Sequence, residues 1–382
     1  MNYSLPYILF LLFILVIAAL QLVLTIEDKS RKYINLLVVV AYVLFFGFRG
    51  FIGWDWTNYY PYFENIYTKK LQSFEPGFEY YTMAIRYLFK DYQVFTVINT
   101  LINVLLFHIF IKRYLKEKYY ALGFAIFIAF SGFVLEVDLL RNIKSILLFM
   151  ISLRYVEEKS FYKFLIINII GILFHWSSLF LIPLYFFFQK PIPIKLFIAV
   201  FIIGNIIIIF NLDFIKPTLS LLGKAIGGTP GERITYYLSN KFFSKSYGLS
   251  YGYSARLFTT ILVLLYYDKI LNYSKFCVIF VNAYFILVVI FLYFSELSLA
   301  ISRVSILFNF SLCILIPILL EIIISVSTRV TLFLLYSILI IAKMSASTDN
   351  ILYNYDNALL GKTQSYEDRI KIYKSNYKKL LQ

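Results

Sequence analysis

Arginines and carboxylates at the ends of long apolar runs are the residues best placed for chemistry in this sequence. Arg49 opens a turn that contains two glycines, and Asp55, Asn58 and Tyr59 follow it among further aromatic residues. Guanidinium groups bind the paired oxygens of phosphates, and aromatic rings pack on sugar faces. The group therefore suits a sugar diphosphate. The alternative is an ordinary membrane interface, with aromatic residues at headgroup level and Arg49 reaching the phosphates.

A turn fixes the position of a further acidic residue. Glu75 stands directly before Pro76-Gly77, and residues 83–89 continue with apolar positions on one helical face. This pattern predicts an amphipathic helix that lies on a membrane. The Pro-Gly turn also fixes the direction of the backbone at Glu75, which makes this acid a more specific candidate for function than an ordinary surface acid.

Four charges separate two apolar runs further along the chain. They are Glu136, Asp138, Arg141 and Lys144. Asp138 and Arg141 are three residues apart and can pair on one helix face. The group is either an ordinary short loop with compensated charges or a functional site. In the second case Arg141 lies at the outer mouth of a helix and needs an anionic partner.

His175 interrupts residues 164–188, which contain no Asp, Glu, Lys or Arg. It is either a functional residue or a hydrogen-bonded core residue, as His108 is expected to be. No second His or Cys lies near it, so the sequence predicts no metal site. Cys277 and Cys313 lie inside apolar runs and are expected to pack as small apolar residues.

Three later arginines lie at predicted helix ends or in the loops beside them. Arg233 follows a glycine-rich turn, whereas Arg256 and Arg303 stand at helix starts. Each is either an interface anchor or a further contact for a phosphate-bearing substrate.

The composition fixes the elements that carry these residues. Hydrophobic residues make up 61% and charged residues 15% of 382 positions, whereas soluble domains average about 25% charged. The apolar runs of about 15–20 residues match a hydrocarbon core about 30 Å thick, where the backbone must form helices. We predict an all-α polytopic membrane protein with about 11–12 transmembrane helices in one domain, residues 1–344, followed by a polar tail, 345–382. The net charge of +15 lies mostly in short patches between these runs and indicates a membrane surface rather than nucleic acid.

The basic linkers predict the orientation. Residues 29–32, 112–118 and 154–163 carry the excess of Lys and Arg and are expected in the cytoplasm. The N-terminus and residues 49–92 are then outside. Residues 212–253 also lie outside if the apolar run breaks into two half-helices at His175, which we favour, and inside if it forms one helix. The Lys and Arg residues of the tail favour the cytoplasm. An even number of membrane crossings would instead place the tail outside, on the side of the N-terminus.

The polar residues form an ordered set that resembles the EpsG family, a branch of the Wzy-type polysaccharide polymerases. The resemblance runs from about residue 45 to 181, and more weakly through the three later arginines to about 355. The sequence departs from the family after Arg141, where the family often has Gln and this chain has Asn142-Ile143-Lys144. The set is Arg49-Gly50, Gly53-x-Asp55-x-x-Asn58-Tyr59, Glu75-Pro76-Gly77-Phe78, Leu140-Arg141-Asn142 and Phe174-His175-x-Ser177.

This resemblance implies a cofactor-free glycosyltransferase at the outer face of the bacterial plasma membrane. Its substrates would be an undecaprenyl-diphosphate-linked glycan as donor and the next lipid-linked repeat unit as acceptor, with membrane lipids and a chain-length regulator as further partners. Arginines would neutralise the diphosphate where many soluble enzymes use a metal.

On this interpretation each candidate residue has a role. Asp55 is the first candidate for the base, followed by His175, with Glu75 as a third. Arg49 and Arg141 bind the donor diphosphate, and the remaining substrate contacts are Asn58, Tyr59, Arg233, Arg256 and Arg303.

Other functions also fit a membrane protein of this composition. A flippase for lipid-linked oligosaccharide would show pseudo-symmetric halves, and the sequence has no evident repeat. An O-antigen ligase would transfer finished glycan to lipid A. A membrane acyltransferase finds weak support in His175 and Ser177.

Overall fold

The computed structural model describes residues 3–24, 27–68, 74–239, 250–361 and 363–381. Throughout these residues the regular structure is helical, and the β pairing is an isolated bridge between Arg49 and Asn357. The predicted all-α fold is confirmed. Parts of the two predicted outer segments, residues 69–73 and 240–249, lie outside the described residues.

The chain divides into two compact units. The first comprises Met1–Phe186 and Thr331–Gln382, and the second Phe187–Val330. The helices up to the boundary are α1 Leu5–Val23, α2 Asp28–Tyr42, α3 Trp56–Asn65, α4 Pro76–Phe89, α5 Tyr92–Tyr114, α6 Tyr120–Phe127, α7 Phe133–Val137, α8 Leu140–Ser152, α9 Arg154–Glu157, α10 Phe161–Phe174 and α11 Leu184–Phe187. Those that follow are α12 Ile194–Ile209, α13 Ile215–Ile226, α14 Gly228–Ser239, α15 Tyr251–Leu265, α16 Tyr267–Tyr273, α17 Cys277–Tyr293, α18 Ser298–Ser305, α19 Phe310–Ile322, α20 Val326–Thr348 and α21 Tyr366–Leu381.

Apolar helices dominate both units. Within the described residues, five helical segments are long and apolar enough to cross a membrane: Leu5–Val23, Lys29–Gly47, Tyr92–Tyr114, Glu117–Val137 and Val326–Thr348. Shorter apolar helices of 10–17 residues, such as Phe161–Phe174 and Cys277–Tyr293, accompany them. Because a helix satisfies its own backbone hydrogen bonds, this architecture is the one that hydrocarbon permits. The protein is a polytopic membrane protein.

The three basic linkers meet at one end of the first unit. The Asn35 amide donates to Glu117, and the Arg113 guanidinium lies 3.4 Å from Glu157. The first contact joins α2 to the start of the Glu117–Val137 span, and the second joins the end of α5 to α9. The linkers therefore share one side, as the positive-inside pattern predicted, and the assignment of that side to the cytoplasm stays a prediction.

The C-terminal segment returns to the opposite end of the same unit. The Gly50 amide donates to the Asp356 carbonyl at 3.0 Å, and the Gly53 amide to the Leu352 carbonyl at 2.9 Å. A buried ion pair between Arg369 and Asp356, 3.0 Å apart, anchors α21 to this segment. The described part of the tail thus lies on the side of Arg49, away from the basic linkers. The Lys and Arg residues of the tail had instead favoured the side of the basic linkers.

The long apolar run is broken, as predicted, at His175. Helix α10 ends at Phe174, His175 has extended backbone angles (φ −161°, ψ 133°), and a 3-10 helix, Trp176–Leu181, follows. The His175 ring stabilises the break because its Nδ1 accepts a hydrogen bond from the Ser177 amide at 3.1 Å.

The second unit has its own buried polar anchors. Glu296 accepts hydrogen bonds from the backbone amides of Phe214 and Ile215, each at 2.8 Å, at the start of α13. The Asn282 side chain donates to the carbonyls of Phe187 and Lys190. Helices α17 and α19 are buried along most of their lengths and form its core.

Candidate functional site

A cluster of aromatic and apolar side chains positions the polar residues at the end of the first unit that carries residues 49–92, the predicted outer loop. Helices α3 and α4 are amphipathic, and their buried faces pack on the starts of α5 and α8. Burial of such side chains contributes about 1.5–3 kcal/mol each. The cluster fixes α4 beside the first turn of α8, and its buried members are Tyr59, Tyr62, Phe63, Phe78, Ile85, Phe95 and Leu140.

An ion pair between Arg141 and Glu75 lies at this junction. Arg141 Nη1 donates to Glu75 Oε2, and the guanidinium carbon lies 4.4 Å from the centre of the Phe74 ring. The Glu75 side chain is 5% exposed and that of Arg141 is 24% exposed. Arg141 also hydrogen-bonds the Tyr59 hydroxyl, whereas its buried Nε has no hydrogen-bond partner. Arg141 is therefore partly exposed, and its guanidinium retains unused donor capacity.

Tyr59 remains a neutral phenol in this setting. Burial and, to a lesser extent, the nearby Asp55 carboxylate raise the pKa of Tyr59, and the Arg141 guanidinium opposes them, so that the net pKa is about 12. Its oxygen can accept a hydrogen bond from Arg141 without carrying charge. Neighbouring Asn58 is exposed, so these two predicted contacts differ in their access to a substrate.

Close packing brings the Glu75 turn against the broken helix. A Cβ on Gly77 would lie 2.7 Å from both the Leu173 Cβ and the Leu173 carbonyl oxygen. Only a glycine allows this approach of α4 to the end of α10. Glu75 and His175 each lie two residues from that contact, so the structure brings them to the same region.

Asp138 holds the loop that carries Asp55. Its Oδ1 accepts from the Trp54 amide at 2.6 Å, and its Oδ2 from the Tyr353 hydroxyl at 2.9 Å. Gly53 has φ +86°, and a Cβ there would lie 2.2 Å from Asp138 Oδ1. Asp138 and Arg141 thus have different partners rather than each other, because the chain turns between α7 and α8.

Burial changes the acidity of this carboxyl group. Asp138 lies between the span that ends at Val137 and the start of α8. Burial and, to a lesser extent, the Asp55 carboxylate raise the pKa of Asp138, whereas hydrogen bonds from the Trp54 amide and the Tyr353 hydroxyl lower it, and the net pKa is about 6. Asp138 is therefore an anchor that titrates just below neutral pH.

Arg49 is placed inside the helix bundle. Its side chain donates to the Phe46 carbonyl, to the Glu136 carbonyl at 2.5 Å and to Thr100 Oγ1 at 3.4 Å. The residue is 5% exposed. These contacts join the C-terminal end of the α2 span to α5 and α7. The assignment of Arg49 to the diphosphate stays a prediction.

Sequence reasoning missed a polar face on α5. Lys144 donates to Asn99, and its ammonium lies 4.6 Å from the Tyr81 ring centre. Glu136 accepts hydrogen bonds from Thr100 and Asn103. The signal was present in the sequence, since polar residues recur at helical spacing in the α5 run: Thr96, Asn99, Thr100 and Asn103.

The three later arginines belong to the second unit. Arg256 donates to the Gly252 carbonyl at 3.1 Å, and its guanidinium lies 4.2 Å from the Phe291 ring centre. Arg303 is exposed in the last turn of α18. Arg233 lies in α14, and its side chain is outside the described residues. Their roles as anion contacts stay predictions.

The sequence model of the EpsG family matches residues 32–357. The chain belongs to the EpsG family. This is a family of Wzy-like polymerases. No curated protein and no solved structure matches the chain.

The EpsG-family match includes every predicted site residue. Four of them, Asp55, Glu75, Arg141 and His175, lie at the outer-loop end of the first unit. Among the described residues, the EpsG-family chain shows no group of three His, Cys, Asp or Glu residues that could hold a metal ion. The described side chains at this end include a guanidinium, carboxylates and an imidazole.

Proposed function

We propose that this EpsG-family protein is a polysaccharide polymerase that transfers a growing glycan from undecaprenyl diphosphate to the next lipid-linked repeat unit. The Arg141–Glu75 ion pair beside the break at His175 carries the proposal. A guanidinium at the mouth of a helix bundle, with a buried Nε that has no partner, suits a diphosphate. The reaction takes place at the outer face of the bacterial plasma membrane, with a chain-length regulator as a further partner.

Arg141 binds the donor diphosphate and stabilises the charge that develops on it. In the transfer, the bond from the anomeric carbon to the phosphate oxygen breaks, and the phosphate oxygen keeps the electron pair. The acceptor hydroxyl oxygen forms the new bond to that carbon. A cation fixed near the leaving oxygen stabilises the transition state more than the ground state.

Glu75 couples donor binding to proton removal. Its carboxylate pairs with Arg141 in the structure. A diphosphate with more negative charge displaces it, and the released carboxylate takes the proton of the acceptor hydroxyl. Asp55 and His175 are the alternative bases, since both lie at the same end of the first unit.

The remaining predicted residues have supporting or peripheral roles in this proposal. Arg49 positions the outer loop through its buried contacts. Asn58 and Tyr59 contact sugar hydroxyls and the Arg141 guanidinium, respectively. Arg233, Arg256 and Arg303 are kept as further anion contacts.

The test compares two arginines that each pair with a glutamate. Arg141→Ala is compared with Arg86→Ala, because Arg86 forms an ion pair of 2.9 Å with Glu64 in the same unit. With equal protein in the membrane, Arg141→Ala should abolish the polymer ladder and leave single repeat units on the outer lipid. Arg86→Ala should preserve the ladder.

Two results would overturn the proposal. One is full-length polymer from abundant Arg141→Ala protein. The other is accumulation of lipid-linked repeat units at the inner, cytoplasmic face of the membrane in a deletion strain, which indicates a flippase.

A further inference from the structure

A groove lies between α2 and α5 near the basic linkers of the first unit. It has a volume of about 260 Å³, and Leu36, Val39 and Leu105 form its apolar wall. Leu36 is 55% exposed and Leu105 is 46% exposed, although both lie in membrane-spanning segments. Apolar side chains exposed on such helices face lipid chains. The groove therefore opens toward hydrocarbon.

The groove has a basic end. Lys32 and Lys112 line it together with His108. Glu117 lies 4.0 Å from Lys112 and accepts a hydrogen bond from Asn35. One carboxylate thus offsets one of two ammonium groups, and the groove keeps a positive charge.

His108 is held at this end by a hydrogen bond, as expected from the sequence, and its partner is Tyr120. Its Nδ1 lies 2.5 Å from the Tyr120 hydroxyl. With Tyr120 donating, the neutral ring carries its proton on Nε2 and offers a donor. The side chain that had been assigned to the core therefore lines a surface groove.

We propose that this groove binds the headgroup and one acyl chain of an anionic phospholipid. Two lysines near the membrane interface attract a negatively charged phosphodiester. Each lysine adds binding energy through the same electrostatic attraction that draws basic segments to anionic lipids. The apolar wall takes the chain. A zwitterionic lipid should bind less well, because its own cationic group is repelled by the lysines. Free phosphate should also bind less well, because it makes no contact with the apolar wall. The bound lipid joins α2 to α5.

The experiment uses the full chain purified in a neutral detergent. Phosphatidylglycerol, phosphatidylcholine or inorganic phosphate is added, and thermal unfolding and lipid retention by native mass spectrometry are measured. Phosphatidylglycerol should raise the Tm and stay bound. Lys32→Gln/Lys112→Gln should weaken its retention about thirtyfold, as expected for the loss of two interfacial lysines.

Two further variants keep the result interpretable. Lys190→Gln/Lys195→Gln removes two exposed lysines from the second unit and should retain phosphatidylglycerol as the unchanged protein does. Leu105→Trp fills the groove, leaves both lysines in place and should also lose the lipid. Equal retention by all variants overturns the proposal, as does an equal Tm shift with phosphatidylcholine or phosphate. The site does not depend on the polymerase activity.

Discussion

Glu75, at the start of α4, forms an ion pair with Arg141 in the first turn of α8, 66 positions further along the chain. The pair links the outer loop to the helix bundle. Because Glu75 is more deeply buried than Arg141, an incoming anion meets the arginine first.

Glu75→Gln tests whether this carboxylate removes the acceptor proton. Glutamine can still accept a hydrogen bond from Arg141, so the fold should persist. Loss of a general base lowers rates by about 10²–10⁴-fold, and the polymer ladder should disappear while the donor lipid still binds. Glu64→Gln is the matched control, since it removes the acid of the Arg86 pair. A normal ladder from Glu75→Gln would transfer the role to Asp55 or His175.

Gly77→Ala tests the packing of α4 on α10. The added Cβ would lie 2.7 Å from the Leu173 carbonyl oxygen, so the backbones must separate. Overpacking of this kind costs about 1–3 kcal/mol, and we expect a lower Tm together with loss of polymer. Gly47→Ala is the control, because its nearest neighbour, Val97 Cα, lies at an ordinary 3.4 Å. Unchanged Tm and activity in Gly77→Ala would contradict the close contact.

Asp138 should make the stability of the first unit depend on pH. The pKa of Asp138 is about 6 in the folded protein, against an ordinary value of 3.8. Between these values the folded state binds more protons than the unfolded state, so stability falls as pH rises from about 4 to 6. Asp138→Asn removes this dependence and keeps an acceptor for the Trp54 amide. The Tm of the variant minus that of the unchanged protein should therefore increase from pH 5 to pH 7.

Asp138→Ala provides the contrast to that substitution. It leaves the Trp54 amide and the Tyr353 hydroxyl without their acceptor, at about 1–3 kcal/mol for each buried group. Thermal unfolding should show a loss at every pH. A variant as stable as Asp138→Asn would show that the two hydrogen bonds contribute little.

The C-terminal helix and the Asp55 loop should be labelled from the same side of the membrane. Ser375 and Asn58 are exposed, and Tyr162 is an exposed residue beside the basic linkers. Single cysteines at Ser375 and Asn58 should react with a membrane-impermeant maleimide in intact cells, whereas one at Tyr162 should react only after lysis. The native cysteines are both buried. Opposite labelling of Ser375 and Asn58 would contradict the contacts of Gly50 and Gly53 with the C-terminal segment.

The sequence alone determined the apolar helices and the basic linkers, and it favoured a break at His175. These features are local: apolar runs must be helical in hydrocarbon, and a polar residue inside such a run marks where the helix ends. The ordered polar set also indicated the family that residues 32–357 match.

Tertiary structure decided which charged residues meet. Sequence spacing offered Asp138 as the partner of Arg141, but Glu75 takes that position, and Asp138 binds Tyr353 from 215 residues away. Arg49 turns into the bundle, and the tail joins the outer loop. Such contacts depend on the packing of several helices at once, and spacing along one helix does not contain that information.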